Sequence, residues 1–135
     1  MGQATKAVSG YVEDTVEITE NSFVDVKPAE RRQYDRRGAR WPCTITTHDK
    51  TLIQCSSLDV SERGASVFCP VNFKINAIFV FELNVRYKGL HKKLRILSEV
   101  KRTSTSNDGF TLGLYFKDAN ELVFDFLGKY STKQI

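Results

Sequence analysis

Between Glu30 and Arg37 the chain reads Glu-Arg-Arg-Gln-Tyr-Asp-Arg-Arg, four arginines in eight residues. Arg32 and Arg36 stand four apart, flanked by Arg31 and Arg37. Each guanidinium is a planar fork of donors that fits a phosphate or the O6/N7 edge of guanine. Charges this dense repel one another unless an anion joins them. The run therefore reads as half of a binding site for a phosphorylated, purine-containing ligand. The other half follows at Asp59-Val60-Ser61-Glu62-Arg63-Gly64. The Asp59 carboxylate can accept from guanine N1–H and N2–H, and the Ser61 hydroxyl can donate to or accept from a phosphate or base edge. Gly64 permits a positive φ and lets backbone approach a ligand closely.

Taken singly, each element has a plainer reading. A run of arginines is usually a solvated basic face. Asp and Ser before a glycine are ordinary turn formers that bond local backbone. The two together, on one small domain, make the pocket the stronger reading. Catalysis has no parts to work with: there is no H-E-x-x-H, G-x-S-x-G or P-loop phrase, and neither His48 nor His91 sits in a nucleophile motif. Cys43, Cys55 and Cys69 include no C-x-x-C pair, so they read as reduced, strand-borne thiols acting as small hydrophobes rather than zinc ligands. No metal and no cofactor is expected.

The elements that must position these residues are strands. Trp41, Cys43 and Ile45 alternate with Pro42, Thr44 and Thr46, a period of two. Further strand-like segments run over 51–61, 65–69, 78–85, 90–102 and 110–116, separated by turn signals at His48-Asp49-Lys50, Glu62-Arg63-Gly64, Tyr87-Lys88-Gly89 and 103–108. In the second segment Asp59 and Ser61 share one face, with Leu58 and Val60 directed at the core. Trp41, Tyr87 and the phenylalanines read as core or helix contacts. Short strands at regular spacing with no intervening helical pattern predict antiparallel β structure closed into a small barrel. The end of the chain differs. Asp118 with Glu121 three residues on reads as a capping box, and Leu122, Val123, Phe126, Leu127 and Tyr130 follow helical spacing. Phe124 lies off that stripe, to cover a barrel edge or meet a partner.

In this order, Arg32-Gln33-Tyr34-Asp35-Arg36 and Asp59-Val60-Ser61-Glu62-Arg63-Gly64, followed by Gly113-Leu114-Tyr115-Phe116 as a closing strand, resemble the PilZ domain family. The resemblance covers about residues 30–130. It implies a mainly β fold, a six-stranded antiparallel barrel with a C-terminal α-helix, and a receptor for the bacterial second messenger cyclic di-GMP. It implies that Arg32 and Arg36 hold guanine and phosphate, that Asp59 and Ser61 contact the base, and that Gly64 shapes the turn. Arg31, just before the first motif, implies an intercalated pair of ligand molecules. Gly113 is a further candidate for ligand-facing backbone. The tryptophan with which some members stack a guanine has no counterpart just before Gly113, and Phe110 is its nearest substitute.

Length and charge bound the rest. The chain has 135 residues, enough for one domain with a core of adequate size. Its net charge of +4 divides into −4 over residues 1–30 and +8 over the remainder. The reading is an acidic leader over 1–29, a basic domain over 30–130 and a tail over 131–135. A basic body implies an anionic partner. No apolar run approaches a membrane span and the first 20 residues lack a signal-peptide core, so a cytoplasmic location is expected. The resemblance implies a bacterial protein, and a monomer or weak dimer is expected. In the switch this implies, Arg31, Arg32 and Arg36 are mobile and mutually repulsive until ligand orders segment 24–40, repositioning the leader toward a downstream protein. The alternative is an OB-like barrel that binds single-stranded nucleic acid. It calls for aromatics interleaved with bases, and the strand from Lys92 to Arg102 has aliphatics and no aromatic between its bases.

Overall fold

The structure, a computed structural model, describes residues 34–135. Arg31, Arg32 and the acidic leader lie outside the described residues. Among the described residues, seven strands and one helix follow in order: β1 (Arg37–Gly38), β2 (Pro42–Thr46), β3 (Leu52–Val60), β4 (Gly64–Cys69), β5 (Ile78–Tyr87), β6 (Leu90–Ser106), β7 (Gly109–Asp118) and α1 (Glu121–Ser131). All pairings are antiparallel, in the order β1-β3-β2-β5-β6-β7-β4. β4 also pairs with β3, which closes six strands, β2 to β7, into a barrel. The two-residue β1 lies against the end of β3, where β2 no longer runs beside it.

The barrel interior is filled by the alternating residues that the period of two selects. Phe79, Phe81, Leu83 and Val85 of β5 point inward, as do Leu94, Ile96 and Val100 of β6 and Leu112, Leu114 and Phe116 of β7. Phe81 and Phe116 stack at 6.1 Å between centroids. The β5–β6 turn is made by Lys88 and Gly89, both at positive φ, the geometry that a two-residue hairpin needs to match strand twist. β6 runs further than its sequence pattern predicts. Thr103 to Ser106, expected as a turn, continue the strand and pair with β7, leaving only Asn107-Asp108 to reverse the chain. Threonine's branched Cβ favours extended backbone, and here it outweighs polarity.

α1 closes one end of the barrel. Val123, Phe126, Leu127 and Tyr130 are buried, whereas Leu122, predicted on the same stripe, is exposed. Tyr130 meets Trp41 at 4.9 Å and Tyr87 at 5.0 Å. The Trp41 indole N–H donates to the carbonyl of Arg86 at 3.0 Å. The helix cap is also not the predicted one. Asp118 still belongs to β7, and Asn120 caps, its Oδ1 accepting from the Leu122 N–H at 2.9 Å.

Gly64 opens β4 without a positive φ, contrary to the sequence expectation; Gly89 is the glycine that adopts one among the described residues. Its requirement is proximity. A Cβ at position 64 would stand 2.5 Å from the carbonyl oxygen of Leu114, a backbone atom of the paired β7. Gly64→Ala is therefore expected to lower unfolding free energy by about 2 kcal/mol, an overpacking cost. Urea denaturation of the two proteins measures it, and an unchanged midpoint would contradict this account of the glycine.

Candidate functional site

Two β-bulges aim the site. From Cys55 and Ser57 inward, strict alternation along β3 would turn Asp59 into the barrel. The β3–β4 register instead shifts between Ser57 and Asp59, leaving Leu58 as the extra residue. Val60 is thereby buried, Asp59 faces outward, and Leu58, predicted for the core, is half-buried. A second shift, between Val100 and Arg102 on β6, turns Arg102 outward opposite Gly113. The result is a cross-strand row on the outer wall: Gly38, Asp59, Ser66, Gly113 and Arg102.

Arg36 stands over this row. Its Nη1 donates to Asp59 Oδ1 at 2.8 Å and lies 3.5 Å from Ser66 Oγ. The two charged side chains remain 21% and 33% exposed, so a ligand could reach both. Arg36 thus has a carboxylate partner, because the second motif supplies its counter-charge. The arginine element and the acidic element therefore meet in space.

Ser61 does something other than predicted. β3 ends at Val60, and Ser61 is 4% exposed inside the turn. Its Oγ accepts from the Arg63 N–H and donates to the Gly64 carbonyl, each at 3.3 Å, while its own N–H donates to that carbonyl at 2.8 Å. The hydroxyl is a turn lock rather than a wall-mounted contact.

Arg37 leaves the site altogether. Paired opposite buried Val60, it turns to the barrel end. Its guanidinium donates to the Tyr130 carbonyl at 3.0 Å and to Tyr87 Oη at 3.2 Å, and lies 4.2 Å from the Tyr130 ring centroid. That hydrogen bond holds the Tyr87 phenol below its ordinary pKa. Tyr130 Oη in turn donates to the Gly38 carbonyl at 2.7 Å. Ser57, fully buried, anchors the chain between β1 and β2: its Oγ accepts from the Trp41 N–H at 3.0 Å and donates to the Ala39 carbonyl.

Gly113 and Arg102 form one unit. A Cβ on Gly113 would stand 2.7 Å from Arg102 Cγ and 3.2 Å from its Cζ, so the glycine lets the arginine lie across β7 toward Ser66. Sequence reasoning missed Arg102 and Ser66. An interior strand glycine was the available signal, but the partner depends on a bulge. Phe110 sits opposite Cys69 and Thr105, well along β7 from Gly113, and packs on the core. Phe124 is covered by the Arg63 guanidinium at 4.2 Å.

Among the described residues, no group of three or more His, Cys, Asp or Glu is arranged to hold a metal ion, and no helix is long and apolar enough to cross a membrane.

The family model described as the PilZ domain matches residues 30–131. The chain belongs to the PilZ domain family. Solved structures share the fold. The inhibitor of motility MotI/DgrA of Bacillus subtilis aligns at TM-score 0.69 and 17% identity, over 77% of this chain and 51% of that one. YcgR of Escherichia coli in complex with c-di-GMP aligns at TM-score 0.65 and 18% identity, over 78% and 46%. The separate PilZ domain of YcgR with c-di-GMP aligns at 0.58 and 16%, over 76% and 90%. This PilZ chain therefore spans about half of MotI/DgrA and of YcgR, but most of the isolated domain. No curated protein matches the chain significantly.

The neighbouring arginines should separate in their effects on stability. Arg37→Ala removes the tie between β1 and α1 and is expected to cost about 1–2 kcal/mol. Arg36→Ala removes a half-exposed ion pair and is expected to cost less than about 1 kcal/mol. Parallel denaturant titrations check the order, and equal losses would refute the division of labour.

Proposed function

We propose that this PilZ domain is a cyclic di-GMP receptor and not an enzyme. The single observation that carries the reading is the meeting of Arg36 with Asp59 on an open barrel wall. A guanidinium and a carboxylate side by side offer donors for phosphate or the guanine O6/N7 edge and acceptors for guanine N1–H and N2–H. The ion pair uses Oδ1 of Asp59, and a carboxylate has further acceptor positions for a base. Complexes of E. coli YcgR with c-di-GMP in the same fold support the choice of ligand.

In this reading Arg32 joins Arg36 on the ligand, and Arg31 favours an intercalated ligand pair. Asp59 takes a guanine edge. Gly113 keeps the wall low enough for Arg102 to lie flat, and the Arg102 guanidinium serves as the stacking plane in place of tryptophan. Ser61 and Gly64 act through the turn that fixes Asp59. Binding draws the arginine segment onto the wall. Because Arg36 adjoins Arg37, that movement bears on α1 as well as on the acidic leader, and the altered surface signals to a downstream protein. Cytoplasmic location follows from the ligand.

Titration calorimetry of the full chain at physiological salt tests the reading. Cyclic di-GMP is expected to bind saturably, with two ligands per chain, and GTP and short single-stranded DNA are not. Arg32→Ala and Arg36→Ala are each expected to weaken binding at least tenfold, about 1.4 kcal/mol. Near-unchanged affinity in both would refute the assignment. Salt-sensitive binding of DNA alone would instead select the nucleic-acid reading.

A further inference from the structure

The three cysteines lie in one row across adjacent strands. Cys43 of β2 pairs with Cys55 of β3, and since Ser56 pairs with Phe68, the next position sets Cys55 across from Cys69 of β4. All three are free thiols. The Cys55 and Cys69 sulfurs are 3.4 Å apart, with the Cys55 S–H directed at Cys69. Directly opposed residues of an antiparallel pair have Cα atoms about 4.5–5.5 Å apart, within the span a disulfide bridges. We propose that Cys55 and Cys69 form an oxidisable dithiol, and that hydrogen peroxide converts it to a disulfide stapling the β3–β4 seam that closes the barrel.

The two thiols differ in a useful way. Hydrogen bonds from the Cys55 S–H and the backbone N–H of Val71 lower the pKa of Cys69, whereas donating that bond, together with burial, raises Cys55. Cys55 is half-buried and accessible, while Cys69 is fully buried beside it. The Cys69 thiolate acts as the base: it takes the proton of Cys55 as the more accessible Cys55 sulfur attacks a peroxide oxygen. The O–O bond breaks, Cys55 becomes a sulfenic acid and hydroxide leaves. That hydroxide takes the proton from Cys69, forming water. The Cys69 thiolate then attacks Cys55 Sγ, the S–O bond breaks, and a second hydroxide leaves to be protonated by buffer. Two sulfurs have lost two electrons and one peroxide has become two waters. Cys43 is the poor competitor: it is fully buried, and burial, reinforced by the charge of Cys69, pushes its thiol up to about 12.

The test treats the folded full chain with hydrogen peroxide and then counts thiols after denaturation. Two of the three cysteines should be lost and recovered with dithiothreitol. A non-reducing digest should link the Cys55 and Cys69 peptides within one chain. Cys43→Ala should react alike, and Cys55→Ser should form no intrachain bridge. Closure of a short loop should raise Tm by about 5 °C or more. Retention of all three thiols, a Cys43–Cys55 bridge, only interchain disulfides, or an unchanged or lower Tm on oxidation would each overturn the proposal. The digest and thiol count use the unmutated protein, so they stand even if a variant folds poorly.

Discussion

A barrel wall has two faces, and a strand must alternate between them. The closed core of this PilZ domain enforces that alternation, because a slip of one residue would bury charge and expose Phe81, Leu112 or Phe116. The site exists because the rule is broken at two places beside it. One extra residue in β3 at Leu58 and one in β6 at Lys101 leave the core intact on both sides of the bulge while changing which residues face out. Asp59 and Arg102 both reach the outer wall this way. Without the bulges, the carboxylate would point at the hydrophobic interior.

The same alternation divides the arginine run. Arg36 turns to the outer wall, and Arg37 turns to the barrel end, onto Tyr87 and Tyr130. The second motif is divided in the same manner. Asp59 faces the wall, while Arg63 lies over Phe124 and donates to the Phe116 carbonyl at 3.5 Å, and Glu62 stands against Gly128. Each motif therefore has one foot on the candidate site and one on α1. A helix held by both elements of the candidate site is placed to feel a change in either.

The strands were legible because amphipathic alternation is a local signal: every strand from β2 to β7 lies where the alternation and turn residues put it. Element ends were less legible. Thr103–Ser106 continue β6 because pairing with β7 stabilises a polar strand, and Asn120 displaces Asp118 as the cap because β7 extends to Asp118. Both depend on a partner elsewhere in the chain. Ser61 looked like a wall residue because the motif was read as continuous strand, but the turn claims its hydroxyl.

What the residues alone determined was chemistry and class: a clustered set of guanidiniums, a carboxylate and hydroxyl before a glycine, a barrel's rhythm of strands, and one amphipathic helix at the end. These follow from side-chain type and short-range period. What the tertiary structure decided was pairing. It matched Arg36, rather than Arg37, to Asp59, brought Ser66 and Arg102 into the same row, gave Gly64 and Gly113 their reasons as close approaches to other strands, and set Cys55 beside Cys69. Register across strands depends on bulges and barrel closure, which are properties of the whole sheet.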